Sequence, residues 1–446
     1  MNTLDQIAAQ LQGYDPQAMT ADDVRDFLAR LVTPVQEVLE LPLFEALGRV
    51  LAADVVSPFD VPPHDNSAMD GFAFAGAQLK DDAALELQVV GTALAGKAWQ
   101  GSVQSGQCVK IMTGAVMPAG LDTVVPQEFV RLGKAGEAAH ITIPAGLLRT
   151  GDNRRLRGED LMQGKSALQK GELLTPARLG LAASLGLKTL RTWRPLRVAY
   201  FSTGDEILSL GEAPREGAVY DSNRYTVFGL LKRMGCQVID LGVVRDDPAL
   251  LEAAFLDAAM QADAIITSGG VSVGEADYTK AMMKKLGDVA FWRIAMRPGR
   301  PMAVGRISSI KLAPDADGSV ADSYQNDSRG AVLFGLPGNP VAVMVTFLAF
   351  VRPALLQMMG ARPEPGVLLK AHSLEALRKK PGRTEYQRGR VSAAPDGSLH
   401  VKTTGSQGSG VLSSMAQANG LIVLHHGQGN VAVGDEVDVM MFDGAI

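Results

Sequence analysis

The sequence predicts a multidomain α/β protein: a doubly wound sheet domain, an inserted small β domain, a helical and β connector region, and a C-terminal β domain. Three observations predict it. From Leu196 onward, apolar runs alternate with helical segments and with glycine- or acid-rich turns, the pattern of strands feeding helices in an open parallel sheet covered on both faces. On either side of that region, short apolar runs are broken by Gly, Pro and Asp turns, which reads as β structure. The length, 446 residues, suits about three domains.

Residues 21 to 53 read as helix. "TADD" (20–23) supplies an N-cap and first-turn acids, and Val24, Phe27, Leu28 and Leu31 follow at helical spacing. "SPFDVPPHDNSAMDGFA" (57–73) breaks the pattern, and 61–149 reads as the inserted β domain. "GDNRRLRGEDL" (151–161) is a charged connector and "TPARLGLAASLGL" (175–187) a second helix, so 1–60 and 150–195 flank the insertion. The doubly wound domain spans 196–360. "LRVAYFST", "CQVIDLGVV", "DAIIT", "VAFWRIAM" and "AVLFGL" read as its strands, and "SNRYTVFGLLKRMG" as a helix stopped by Gly235. Residues 307–329 read as a polar surface insertion with no assigned role. Residues 361–446, with "APDG" and "VGDE" turns, read as the C-terminal β domain.

Composition narrows the function. A net charge of -5 offers no basic field for nucleic acid. Cys108 and Cys236 sit in apolar runs and read as small buried hydrophobes, neither a disulfide framework nor a thiolate cage. No His has a companion at metal-ligand spacing, which argues against a zinc site and a Ser-His-Asp triad. The N-terminus lacks the basic region of a signal peptide. The apolar run Val341 to Met359 is interrupted by Arg352 and Pro353, as in a buried helix rather than a membrane span. The expected compartment is the cytoplasm.

The chemistry collects after the strands of 196–360, where open α/β sheets bind ligands. "STGDE" (202–206), "VRDD" (244–247), "TSGGVSVGEAD" (267–277), "MRPGRP" (296–301) and "LPGNP" (336–340) are rich in glycine, carboxylate or arginine. Gly269 and Gly274 match Walker A spacing, but Glu275 and Ala276 stand where Lys and Ser/Thr belong. Glutamate there repels ATP's outer phosphates, so this is no ATPase loop. Ser268, Gly269 and Gly270 remain candidates to hold one phosphate at a helix start. Glu206 and Asp277 are candidates to hold Mg²⁺ against a substrate phosphate. Glu275 equally fits a helix-start charge. One of Asp246 and Asp247, before Pro248, is expected to cap the next helix. Arg293 and Arg297, with Arg300, are candidates for an oxyanion-binding cluster around Pro298 and Gly299, with a solvated basic edge as the alternative. Alternation places Arg293 and Arg297 on one face of an extended strand. Pro337 and Gly338 form the last loop of the edge.

The chain resembles the MoeA-type molybdopterin molybdenumtransferases, which include the E domain of gephyrin. "DNSAMDGFA", "KIMTGAVMPAGLDTVVPQE", "RLRGEDL", "STGDE", "YDSNRY", "GVVRDDP", "SGGVSVGEADYTK", "RPGRP", "GLPGNPV", "GRTEYQRG" and "GSQGSGVLSS" carry the resemblance, in family order and over nearly the full length. The resemblance implies an elongated homodimer whose first and third segments join in space, with a sheet domain similar to molybdopterin adenylyltransferases. It implies insertion of molybdate into adenylyl-molybdopterin, with release of AMP and help from Mg²⁺. It implies active-site positions at Asp70, Thr113, Asp160, Glu206, Asp246 and Asp277, with Asp70 and Thr113 serving the partner's sheet domain, and Arg388 and Ser409 near molybdate. For Asp160 a structural ion-pair role is the alternative. Transient contact with a molybdopterin adenylyltransferase is a further implied partnership; nucleic acid and membrane are not expected. Arg293 and Arg297 depart from the family, which often has lysine there; charge is kept, geometry is not.

Overall fold

In the computed structural model, residues 3–133, 139–271, 278–308, 330–364 and 366–442 are described. They form two compact units.

The smaller unit holds Ala53–Lys170 and Pro176–Leu190. Its centre is a six-stranded sheet in the spatial order Thr123–Pro126, Gly71–Phe74, Gln107–Ile111, Leu85–Ala93, His140–Ile143, Arg131–Leu132. Side-chain alternation divides its core. Ala73, Val109, Ile111 and Val124 pack on one face, and Phe72, Phe74, Cys108 and Val125 on the other.

The larger unit holds Met1–Ala52, Gly171–Thr175 and Arg191–Ile446. It begins with α1 (Leu4–Ala9) and α2 (Ala21–Leu31). Thr20 and Asp23 form the capping box of α2, and Val24, Phe27, Leu28 and Leu31 are its buried stripe. The helix expected over 21–53 stops at Leu31. Pro34 pushes the residue before it out of helical conformation, and the chain then runs as strand over Val38–Pro42.

The sheet that follows contains β1 (Arg197–Thr203), β2 (Gln237–Val244), β3 (Ala264–Ser268), β4 (Gly287–Arg293), β6 (Pro301–Ile307) and β7 (Ala331–Leu336). The two-residue strand β5 (Met296–Arg297) lies between β4 and β6 in the chain. The spatial order is β2-β1-β3-β7-β6-β4. The helices are α3 (Ser222–Arg233), α4 (Pro248–Gln261), α5 (Tyr278–Leu286), α6 (Pro340–Thr346) and α7 (Arg352–Met358). The helix α3 ends as its sequence signals, with Gly235 at φ 78° two residues beyond Arg233. Val198, Tyr200, Ile266 and Phe334 join one core, and Ala199, Phe201, Ile265 and Leu333 the other, so both faces are covered.

The sheet is not wholly parallel. The strands β2, β1, β3 and β7 are parallel, whereas β6 pairs antiparallel with both β7 and β4. No helix separates β4 from β6, so no crossover can restore the direction. The run "PMAVGRI" forms β6, a strand that the sequence reading passed over. One helical stretch among the described residues, Pro340–Met358, is long and apolar enough to cross a membrane, but 72% of it is buried inside the fold.

The C-terminal strands are β8 (Leu369–Ser373), β9 (Thr384–Ala393), β10 (Leu399–Thr403), β11 (Gly420–Leu424) and β12 (Glu436–Met441), with α8 (Leu412–Gln417) before β11. The order β9-β10-β8-β12-β11 closes through a β9–β11 pairing, which leaves a barrel without open edges. The short β5 adds to β9, with Met296 opposite Thr384 and Arg297 opposite Glu385. That pairing ties the arginine loop of the sheet to the barrel.

Candidate functional site

The carboxyl ends of β1, β3 and β7 open into a cavity of about 1120 Å³ within the larger unit. Its floor is Ser202, Thr203 and the turn Ser268–Gly270. One wall is Arg297, Pro298, Gly299 and Arg300. Pro337 and Gly338 follow β7, Glu206 and Asp221 follow β1, and Gln407 to Gly410 reach in from the barrel. The site lies where strand order reverses around β1 and β3, the expected position for a ligand in such a sheet.

The turn after β3 requires its glycines. Gly269 and Gly270 have φ 94° and 64°. A Cβ on Gly269 would stand 2.5 Å from the Thr203 carbonyl oxygen, and one on Gly270 2.4 Å from Thr279 Cβ. The Gly269 N–H, expected to meet a phosphate, instead donates to the Leu336 carbonyl at 3.1 Å. Gly269 therefore shapes the floor, while its amide joins β3 to β7. Asp277, Glu275 and Gly274 lie outside the described residues.

Three arginines line the cavity: Arg297, Arg300 and Arg383. Arg383 is held by Glu385, its Nε donating to Oε1 at 2.8 Å, and the Glu385 side chain is buried. The sequence reading missed Arg383, although it stands in the quoted run "GRTEYQRG". Arg293 does not line the cavity. It ends β4 on the exposed surface, and the chain leaves the strand at Ile294, so Arg293 and Arg297 do not share one extended strand.

Arg388 is also absent from the cavity wall. It is fully buried, and its guanidinium donates to the carbonyls of Ser406, Gln407 and Gly408 and to Ser414 Oγ at 2.9 to 3.2 Å. Burial pushes its pKa down, and Arg297 nearby adds to that. Its part is to hold the loop that carries Ser409 into the cavity. The Ser409 carbonyl in turn accepts the Val341 N–H at 3.1 Å, which docks the barrel loop on the start of α6.

The acidic side is sparse. The Glu206 carboxylate folds over Gly204; a Cβ there would lie 2.5 Å from Oε2. Asp221 caps α3, with Oδ1 accepting the Arg224 N–H at 3.1 Å, while the buried Oδ2 has no partner. Asn223 donates to the Gly338 carbonyl at 2.7 Å and keeps a buried, unpartnered Oδ1. Thr203 Oγ1 is a third such atom. All three residues line the cavity, the Asp221 and Asn223 oxygens as acceptors and the Thr203 hydroxyl as donor or acceptor, and buried polar atoms without partners are costly. The motif "YDSNRY" was the available signal for Asp221 and Asn223. Asp246 does not line the cavity. Asp247 caps α4, accepting from Ala249 and Leu250, and the Asp246 N–H donates to Asp205.

In the smaller unit, Asp70 and Thr113 come together. One Asp70 oxygen accepts both the Thr113 N–H and its hydroxyl at 2.7 Å, which holds that carboxyl below the usual carboxylate range. Asp160 is exposed and outside the local ion pairs, which join Arg157 to Asp60 and Arg154 to Asp65. Among the described residues, no group of three or more His, Cys, Asp or Glu is arranged to hold a metal.

Comparison with known proteins covers most of the chain. The model of the MoeA N-terminal region (domain I and II) matches residues 19–186, that of a probable molybdopterin binding domain 199–357, and that of the MoeA C-terminal region (domain IV) 370–442. A molybdopterin molybdenumtransferase of Haemophilus influenzae is 39% identical over 95% of this chain and 99% of its own. One from a Nostoc species is 34% identical over 96% and 95%. The solved structure of the molybdopterin biosynthesis MoeA protein of Pyrococcus horikoshii covers 95% of this chain and 100% of its own, with 25% identity and a TM-score of 0.76.

Proposed function

The chain belongs to the MoeA family of molybdopterin molybdenumtransferases, and from that premise we propose that it acts in molybdenum cofactor biosynthesis by inserting molybdate into adenylylated molybdopterin, with release of AMP and dependence on Mg²⁺. The observation that carries the reading is the three-arginine wall facing a glycine turn inside one cavity. At about 1120 Å³ it slightly exceeds the roughly 300–1,000 Å³ usual for small-ligand pockets, which suits a substrate built of a pterin and a nucleotide. Arg297, Arg300 and Arg383 neutralise the phosphoanhydride and the molybdate dianion, and hold both through charge-assisted hydrogen bonds. Negative charge grows on the departing AMP phosphate, and the guanidinium of Arg383, already oriented by Glu385, can stabilise it with little reorganisation. Ser268 and Ser409 add hydroxyl donors.

The residues present fit Mg²⁺. That ion takes one or two carboxylates and fills its remaining positions with water and phosphate oxygens. Glu206 lines the cavity, and Asp221 keeps an unpartnered oxygen there; Asp277 is the further carboxylate of the proposed set. When bound, the ion would neutralise charge on the phosphoanhydride. We further place Asp70, Thr113 and Asp160 at the site of a partner subunit in a homodimer, and Asp246 at its margin. An adenylyltransferase as supplier of the substrate, and action in the cytoplasm, complete the proposal.

The test is a reaction of purified protein with adenylyl-molybdopterin, molybdate and Mg²⁺. AMP release with no ATP added is expected. A requirement for ATP, or no AMP at all, contradicts the reading.

A further inference from the structure

A buried phenol under the cavity floor has no part in the reaction as proposed. Tyr200 is 1% exposed and precedes Ser202 by two residues on β1, so both side chains emerge on the same face. The register of β1 against β3 sets Ser202 opposite Ser268. Three hydroxyls thereby meet in a closed triangle. Tyr200 Oη lies 2.7 Å from Ser268 Oγ and 2.9 Å from Ser202 Oγ, and the two serines are 3.2 Å apart. Both serines line the cavity; Tyr200 does not.

Three hydroxyls carry three protons. While all three contacts are hydrogen bonds, each proton is spent inside the ring and none is offered to the cavity. A ligand oxygen accepting from Ser268 draws one proton out, and one contact must be given up. The longest, between the serines, is the weakest. What remains is a chain: Ser202 donates to Tyr200, Tyr200 donates to Ser268, and Ser268 donates to the ligand. A phenol is a better donor than an alcohol, in keeping with the shortest contact. Burial pushes the Tyr200 hydroxyl up from its ordinary value, so it keeps its proton.

We propose that Tyr200 is a positioning residue that aims the Ser268 proton at an anionic oxygen of the substrate. This rests on the reading above, in which Ser268 meets a phosphate. Each donor in the chain is polarised by the one behind it, which strengthens the last bond. With Phe at 200, Ser268 loses the phenol donor at 2.7 Å and can accept only from Ser202 over the longer 3.2 Å contact, so its proton is less strongly polarised and less firmly aimed at the cavity. The chain ends on a donor, so it selects oxyanions and disfavours ligand N–H groups at that point.

A double-mutant cycle tests this, read as AMP affinity by calorimetry on the full-length protein, Tyr200→Phe, Ser268→Ala and the double variant. Tyr200→Phe is expected to weaken AMP about fivefold, the loss of roughly one hydrogen bond. Ser268→Ala should weaken it at least as much, and the double variant no more than Ser268→Ala alone. Melting temperatures of all four register packing damage, which would persist in the Ser268→Ala background. Unchanged affinity in Tyr200→Phe overturns the inference, as does an equal loss from Tyr200→Phe in both backgrounds. Binding needs no turnover, so the outcome is separate from that of the function itself. A cycle that holds while the wild-type protein releases no AMP from adenylyl-molybdopterin sinks the proposed reaction alone.

Discussion

Asp70 and Thr113 show how one residue prepares another. Both hydrogen bonds from Thr113 favour the charged carboxylate, so the Asp70 pKa is lowered. A lowered folded value means that the stabilisation is present above the ordinary carboxylate range and is lost as pH falls through the folded value. Thr113→Val removes the hydroxyl donor and keeps the backbone one. The Asp70 titration, followed by NMR of the side-chain carboxyl carbon, should move up toward the ordinary range. A titration that does not move would show that the hydroxyl contributes nothing. At the same scale lies the limit of sequence reading. Arg388 and Arg383 stand in one motif, five residues apart. Only the fold decides that Arg388 is consumed by loop carbonyls while Arg383 faces the cavity. Burial and hydrogen-bond partners depend on distant segments, and no local pattern encodes them.

Among the elements, the loops divide into those that need glycine and those that tolerate a side chain. Gly270→Ala puts a Cβ at φ 64° and 2.4 Å from Thr279 Cβ. We expect a loss of roughly 1–3 kcal/mol of stability and a lower melting temperature. Gly338→Ala meets only the Gly269 Cα at 3.9 Å, so it should change stability little. Equal melting temperatures for the two variants would contradict this account of the turn. Arg388→Met should destabilise by about 3 kcal/mol or more, because three loop carbonyls lose a buried charged donor. A chemical denaturation midpoint equal to that of the unaltered chain would show that the Ser409 loop does not depend on Arg388. The β–α alternation of 196–286 was legible because hydrophobic period and caps agree there. It failed at β6, which follows β4 antiparallel with no helix between them, so an expected alternation of strand and helix has no place for it. It failed again after Leu31, where Pro34 outweighs the apolar spacing that continues to Ala53.

For the whole molecule, the proposal joins two kinds of site. The cavity of the larger unit holds arginines, hydroxyls and few acids, while Asp70 and Thr113 belong to the smaller unit. If each active site takes Asp70 from one subunit and Asp277 from its partner, Asp70→Ala and Asp277→Ala homodimers are each inactive. Exchange of their subunits should restore part of the AMP release, since one site in each mixed dimer is intact. No recovery after demonstrated exchange would confine each site to one chain. The most direct measurement of the central claim is anomalous diffraction from molybdenum in crystals of the protein soaked with AMP and molybdate. The account predicts a molybdenum peak inside the cavity, between Ser409 and the Arg297, Arg300 and Arg383 wall. A peak elsewhere on the chain, with the cavity left without molybdenum, would contradict it.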